Sequence, residues 1–158
     1  MPVLLVRHAH ARSRKDWSGD DRRRPLSAQG LRQADGLVAV VHRLGPPGRV
    51  FSSPFLRCTQ TMEPLCQSLG VDLEEAPEVS EGERAAAISF VRRYAGTDVA
   101  VCTHGDVIAE ILVSLADEDR VDLGPNPKQA KSSVWALEGS DGHFTRATYY
   151  PPVVSSPS

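Results

Sequence analysis

Two arginines and two histidines follow short apolar stretches of the 158-residue chain, namely Arg7, His8, Arg57 and His104. Each apolar stretch has the length expected of a buried β-strand. A guanidinium group can hold two phosphate oxygens at once, and an imidazole can act as nucleophile, proton donor or base. If these side chains lie close together, their types indicate chemistry on a phosphate group.

The elements that must position these side chains alternate between strand and helix patterns. Apolar runs predict strands at 2–6, 50–51, 71–73 and 99–102, and a closing hairpin at 134–137 and 143–150. Helical spacing predicts helices at about 27–44, 55–69, 84–94 and 107–115, with loops at 12–24 and 117–131. This alternation predicts one α/β domain with a mainly parallel sheet over residues 1–150, followed by a frayed tail at 151–158. Ligands bind beyond the carboxyl ends of such strands, where the two arginines and two histidines would meet.

Length and composition exclude several classes of protein. A chain of 158 residues with 41% hydrophobic and 24% charged residues fits one globular domain and neither a disordered nor a collagen-like chain. The net charge of −2 excludes a protein that coats nucleic acid, and the apolar runs are too short for a membrane span. Three cysteines without a CxxC pair favour a reducing cytoplasm over a disulfide framework or structural zinc. We therefore expect neither nucleic acid nor membrane as a partner, and the oligomeric state is left open.

Three motifs occur in order, each after a predicted strand: Arg7-His8, then Ser52-Ser53-Pro54 with Arg57 and Gln60-Thr61, then Thr103-His104-Gly105. Together they resemble the histidine phosphatase superfamily, also called phosphoglycerate-mutase-like, from Val3 to about Tyr149. Finer features after the first strand are similar to the short SixA-like branch, and especially to the histidine phosphatase domain found fused to Nudix hydrolases. The resemblance implies a three-layer sandwich, with helices on both sides of the mainly parallel sheet.

The resemblance also implies roles for the residues in these motifs. His8 would be the nucleophile that forms a phosphohistidine, which water then hydrolyses. Arg7, Arg57 and His104 would surround the phosphate during catalysis, and the backbone N–H of Gly105 would add a further donor. The scheme needs neither a metal nor a cofactor, and we expect none.

Several carboxylates are candidates for the group that protonates the leaving oxygen. Family members place this acid beyond the second arginine, after the third strand, and Glu81 occupies that stretch. Glu83 is a nearby alternative, and Asp20 or Asp21 would serve if the acid lay in the first loop. We favour Glu81.

The loop at 12–24 is locally basic, with six basic and three acidic residues in a chain of net charge −2. Because it begins four residues beyond His8, it must border the mouth of the site. Positive charge there would favour a substrate that carries more phosphates than the one being cut. Arg14 and Trp17 are expected to contact the substrate, Trp17 by stacking on a base, and Lys131 is expected to add a further contact.

These observations predict a metal-independent phosphatase that acts through a phosphohistidine on a nucleotide or another polyphosphorylated small molecule. A protein phosphohistidine phosphatase of the SixA type is the alternative within the same chemistry. A non-catalytic module that binds phosphorylated ligands is the alternative from another class. His8 argues against that module, because a phosphate sensor needs the arginines and not the nucleophile.

Overall fold

The computed structural model describes residues 1–153 as strands and helices that alternate along most of the chain. The strands are β1 (Val3–Arg7), β2 (Arg49–Ser52), β3 (Leu73–Glu75), β4 (Val99–Thr103), β5 (Val134–Ser140) and β6 (His143–Tyr150). The α-helices are α1 (Ala28–Leu44), α2 (Leu56–Leu69), α3 (Ala85–Arg93) and α4 (Gly105–Glu118). Short 3-10 helices lie at Arg14–Asp16, Asp21–Arg23 and Pro77–Val79.

The six strands form one sheet in the order β3-β2-β4-β1-β5-β6. Strands β3, β2, β4 and β1 pair in parallel, whereas β5 pairs antiparallel with β1 and forms a hairpin with β6. The predicted α/β fold with a mainly parallel sheet is therefore confirmed.

Helices cover both faces of the sheet, which gives the predicted three layers. Val3 and Leu5 of β1 pack in one apolar cluster that includes residues of α3 and α4. Leu4 and Val6 of the same strand pack in a second cluster with residues of α1 and α2. Because alternate residues of β1 enter opposite cores, the strand is apolar from Val3 to Val6 and becomes polar only at Arg7.

The predicted bounds differ from the structure mainly at element ends. Helix α4 runs over Gly105–Glu118 rather than 107–115, because its last turn is exposed and its first turn begins with Gly and Asp, so neither end carries an apolar pattern. Strand β3 lies at Leu73–Glu75 rather than 71–73, where Leu73 is in register with Val50 of β2. No helix among residues 1–153 is long and apolar enough to span a membrane. The tail predicted to fray lies mostly outside the described residues.

The sheet brings the ends of three strands to one edge. Arg7 at the end of β1 is in register with Thr103 at the end of β4, and Ser52 at the end of β2 is in register with Cys102. The segment after β1 stays hydrogen-bonded to the end of β4, since the N–H of His8 donates to the Thr103 carbonyl at 3.1 Å. The residues that follow β1, β2 and β4 therefore lie side by side.

Candidate active site

A cavity of about 790 Å³ opens at this edge of the sheet. Six of its lining side chains are basic and two are acidic, a formal excess of four positive charges: Arg7, Arg12, Arg14, Arg24, Arg57 and Lys131 against Glu81 and Asp106. His8, His104 and Gly105 also line it. Such a cavity favours an anionic ligand. Within residues 1–153, no three His, Cys, Asp or Glu residues form a group that could hold a metal ion.

The His8 imidazole is buried and has one ring nitrogen bonded to the main chain. Its Nδ1 lies 2.8 Å from the Ala9 carbonyl oxygen. Because a carbonyl only accepts hydrogen bonds, Nδ1 carries the proton and Nε2 has a free lone pair. Burial lowers the pKa of His8 to about 3, and the neighbouring positive charges act in the same direction. The ring is therefore a neutral base and a potential nucleophile at physiological pH.

Helices α1 and α2 both contact the backbone next to His8. The N–H of Ala9 donates to Thr61 Oγ1 at 2.9 Å, and that hydroxyl donates in turn to the Arg57 carbonyl at 2.6 Å. On the other side, a Cβ added at Gly30 would lie 1.9 Å from the His10 carbonyl oxygen, so only glycine allows α1 to approach this closely. Thr61 follows Arg57 by one turn of α2, which brings its hydroxyl to the Arg57 carbonyl.

Arg57 is 1% exposed and is held by two acidic residues. Its Nη1 donates to the Asp21 carbonyl at 2.9 Å, and its Nη2 donates to Asp21 Oδ2 at 3.2 Å and to Glu81 Oε1 at 3.3 Å. Its Nε is buried and has no partner among residues 1–153. These bonds fix the position of the guanidinium group and leave its Nε–H available for a ligand.

Arg7 lies against the first turn of α4. Its Nη1 donates to the Gln129 carbonyl at 2.7 Å, and its buried Nε has no partner within residues 1–153. A Cβ added at Gly105 would lie 2.9 Å from Cζ of Arg7. Glycine at position 105 therefore lets the guanidinium approach the start of the helix, where unpaired N–H groups favour anions.

His104 is 1% exposed and packs beside His8, with 5.5 Å between the ring centroids. Its Nε2 lies 2.8 Å from Ser53 Oγ and 3.5 Å from Cys58 Sγ. Its Nδ1 is buried without a partner in the described part of the chain. The ring therefore has one nitrogen bound to the protein and one that is not.

The candidate acids differ in position. Glu81 lines the cavity, and its side chain is 35% exposed. Asp21 lies outside the lining, and hydrogen bonds and charges from two guanidinium groups outweigh its partial burial and hold its pKa below the usual value. Asp20 and Glu83 also lie outside the lining. Of the four candidates predicted from the sequence, only Glu81 faces the cavity.

One cavity carboxylate, that of Asp106, was not among the predicted site residues. Its Oδ2 accepts a hydrogen bond from the N–H of Gly82 at 2.9 Å, next to Glu81. The only local signal was its place directly after the predicted Thr103-His104-Gly105 motif. Asp106 thus links the segment that carries Glu81 to the start of α4.

The predicted substrate contacts fall into two groups. Arg14 and Lys131 line the cavity, and burial together with the neighbouring arginines lowers the pKa of Lys131. Trp17 does not line the cavity, because its indole N–H donates to the Asp20 carbonyl at 2.9 Å and Arg12 lies over its ring at 5.8 Å. The structure therefore does not bring Trp17 to the place where the sequence predicted it.

The sequence is similar to known phosphatases. Residues 3–87 match the Histidine phosphatase superfamily (branch 1). The chain is 34% identical over 156 residues to an 8-oxo-(d)GTP phosphatase of Mycolicibacterium smegmatis (strain ATCC 700084 / mc(2)155). That match covers 95% of this chain and 48% of the relative, so the chain spans about half the length of this curated protein.

Solved structures share the fold at low sequence identity. The protein histidine phosphatase SixA, complexed with tungstate, superposes with a TM-score of 0.75 at 21% identity, covering 98% of this chain and 97% of that one. A mycobacterial glucosyl-3-phosphoglycerate phosphatase superposes with a TM-score of 0.63 at 15% identity, covering 94% of this chain and 96% of that one. With the family match extending over more than half of its residues, this chain belongs to the histidine phosphatase superfamily.

Proposed function

We propose that the chain is a phosphatase that forms a covalent phosphohistidine on His8. The observation that carries this proposal is the state of His8 itself. Its imidazole is neutral, its Nδ1–H is tied to the Ala9 carbonyl, and its Nε2 lone pair is left open in a cavity lined by six basic side chains. A nucleophile of this kind can attack a phosphate whose charge the cavity neutralises.

The first step forms an N–P bond and breaks a P–O bond. Nε2 of His8 attacks the phosphorus, while Arg7 and Arg57 donate hydrogen bonds to the non-bridging oxygens. His104 and the backbone N–H of Gly105 complete this set of donors. The electron pair of the broken bond leaves with the substrate oxygen, which takes a proton from the acid.

Glu81 is our candidate for that acid, because it is the predicted carboxylate that lines the cavity. In the second step a water molecule attacks the phosphohistidine, the P–N bond breaks, and inorganic phosphate leaves. The Glu81 carboxylate takes the proton of that water and returns to its starting state.

A nucleotide or another polyphosphorylated small molecule is the substrate class that the cavity fits best. Its volume of about 790 Å³ exceeds what a single phosphate fills, and its lining carries four positive charges more than negative ones. The Arg14 side chain is 72% exposed, which places it at the mouth, where a second phosphate of the substrate would lie. The name of the 8-oxo-(d)GTP phosphatase relative supports the same class.

A phosphohistidine on a protein is the second candidate substrate. The exposed Arg14 at the mouth could equally meet an acidic protein surface, and the chain resembles the short SixA-like branch. Because SixA itself is only 21% identical, that similarity supports the fold and leaves the substrate to experiment.

A substrate panel tests the proposal. Wild type and His8→Ala would be assayed with a nucleoside triphosphate, a nucleoside diphosphate, para-nitrophenyl phosphate and a phosphohistidine protein. We expect turnover in the wild type only, with a nucleotide preferred. Much faster turnover of the phosphohistidine protein would favour the SixA-type function, and phosphate binding without any turnover would favour the non-catalytic module.

Charge variants test the recognition of the second phosphate. Arg14→Ser and Lys131→Ser should raise KM for the nucleoside triphosphate about tenfold while sparing para-nitrophenyl phosphate, and added salt should reduce the difference. Arg146→Ser is the matched control, because Arg146 is 74% exposed and lies outside the cavity lining. Equal KM values in all three variants would contradict this part of the proposal.

A further inference from the structure

The two nitrogens of the buried His104 ring lie in different environments. Nε2 is 2.8 Å from Ser53 Oγ and 3.5 Å from Cys58 Sγ. Nδ1 is buried and has no hydrogen-bond partner among residues 1–153. Since His104 also lines the cavity, Nδ1 is the ring nitrogen left for a ligand there. Which nitrogen carries the proton decides whether the ring meets that ligand as a donor or as an acceptor.

The hydroxyl of Ser53 indicates where that proton lies. Ser53 is 0% exposed, and its Oγ already accepts a hydrogen bond from the N–H of Phe55 at 3.3 Å. Within residues 1–153, the only other group that its hydroxyl meets is Nε2 of His104. A buried hydroxyl without an acceptor is unfavourable, so Ser53 donates to Nε2. An Nε2 that accepts this bond carries no proton, and in the neutral ring the proton then lies on Nδ1.

We infer that Ser53 is a positioning residue that fixes the tautomer of His104, so that the ring presents Nδ1–H to a bound phosphate. The part of this inference that concerns phosphate rests on the proposed function, whereas the tautomer does not. An unprotonated Nδ1 would turn a lone pair toward an anion and repel it. Ser53 thus makes His104 a donor without touching the substrate.

Both His8 and His104 carry their proton on Nδ1, yet they offer a ligand opposite hydrogen-bonding groups. In His8 the Nδ1–H is tied to the Ala9 carbonyl, so the nitrogen left for the ligand is an acceptor. In His104 the accepting nitrogen is tied to Ser53, so the nitrogen left for the ligand is a donor. The pair therefore supplies a nucleophile and a hydrogen-bond donor from rings whose centroids are 5.5 Å apart.

Cys58 is the other group at Nε2 and defines the competing arrangement. A neutral Cys58 thiol can donate to the same lone pair and would reinforce the tautomer. A Cys58 thiolate would instead accept a hydrogen bond from a protonated Nε2, and a ring that also kept its proton on Nδ1 would be a cation. These two arrangements differ in the protonation of one nitrogen, which can be measured directly.

Nitrogen NMR of protein labelled with ¹⁵N-histidine, recorded at neutral pH without ligand, tests the tautomer. We expect His104 of the wild type to be protonated at Nδ1 and unprotonated at Nε2, and Ser53→Ala to give a mixture of tautomers. Ser52→Ala is the matched control, because Ser52 is equally buried and its hydroxyl donates to the Ser53 carbonyl rather than to His104. A wild-type ring protonated at Nε2, or a Ser53→Ala spectrum identical to the wild type, would overturn the inference.

Amide substitutions test whether the Nδ1–H is used. The side-chain nitrogen of His104→Asn falls near the position of Nδ1, and that of His104→Gln falls near Nε2. We expect the Asn variant to exceed the Gln variant about tenfold in kcat/KM and in affinity for inorganic phosphate. Equal losses in both variants would overturn the role of Nδ1–H. Absence of turnover in the wild type, with the expected NMR spectrum, would refute the proposed function and leave the tautomer assignment intact.

Discussion

Because His8 is buried in its neutral form, we expect it to lower the free energy of unfolding in acid by an amount that can be calculated. In the folded protein burial lowers the pKa of His8 to about 3, whereas an exposed histidine in the unfolded chain has a pKa near 6.5. Between these values the unfolded chain binds one more proton than the folded protein. The free energy of unfolding therefore falls as the pH falls, by about 1.4 kcal/mol per unit where the difference is complete.

Integration of this difference from pH 6 to pH 4 gives about 2.5 kcal/mol from His8 alone. The His8→Asn variant removes the titrating group while keeping an amide that can donate to the Ala9 carbonyl. Over the same range the wild type should therefore lose about 2.5 kcal/mol more of its unfolding free energy than His8→Asn does. The contributions of the carboxylates cancel in this comparison, because both proteins contain them.

Urea denaturation of both proteins at pH 6 and pH 4 measures this difference. His42→Asn serves as the control, since His42 is exposed, and it should follow the wild type. If His8→Asn loses as much stability as the wild type, then His8 is not held neutral by burial. Its Nε2 would then be protonated in acid and would not offer an open lone pair there.

Substitutions at three further positions test the phosphate pocket. Arg57→Ala should lower kcat/KM about 100- to 1,000-fold in steady-state assays. Arg57→Lys should not restore it, because an ammonium group cannot make the bidentate contact of a guanidinium. Near-normal rates in both variants would place Arg57 outside the site. Glu81→Gln should slow alkyl phosphates far more than aryl phosphates, whose leaving groups need little protonation, and equal slowing would exclude Glu81 as the acid. Gly105→Ala should weaken inhibition by inorganic phosphate about tenfold, since the added Cβ would lie 2.9 Å from Cζ of Arg7. Gly48→Ala is the control and should leave inhibition unchanged, because the nearest atom to its added Cβ would be 3.9 Å away. Inhibition equal to the wild type in Gly105→Ala would contradict the close packing of Arg7.

The strand ends that carry the site could be predicted from the sequence because each signal is local. A strand buried on both faces appears in the sequence as a run of apolar residues. Such runs predicted β1 and β4, which end at Arg7 and Thr103. Parallel strands end at a common edge, so His8 and His104 were expected to be neighbours, and their ring centroids are 5.5 Å apart.

The contacts that orient the pocket could not be predicted, because they join residues far apart in sequence. Arg57 bonds to Asp21 across 36 positions, and Asp106 accepts a bond from Gly82 across 24. A carboxylate that orients an arginine has the same residue type as a carboxylate that acts as an acid, so Asp21 was a candidate for the latter role. The position of Trp17 depends on a contact of this kind too, since its indole bonds within its own loop and lies outside the cavity lining.

Trapping the covalent intermediate shows whether His8 carries the phosphoryl group during turnover. Wild type and His8→Ala would be mixed with a substrate labelled in the phosphate to be transferred, and turnover would be stopped with alkali, in which phosphohistidine survives. We expect label on His8 of the wild type that is lost in acid, and no label on the His8→Ala variant. Label that survives acid on a serine, or equal labelling of the variant, would contradict it.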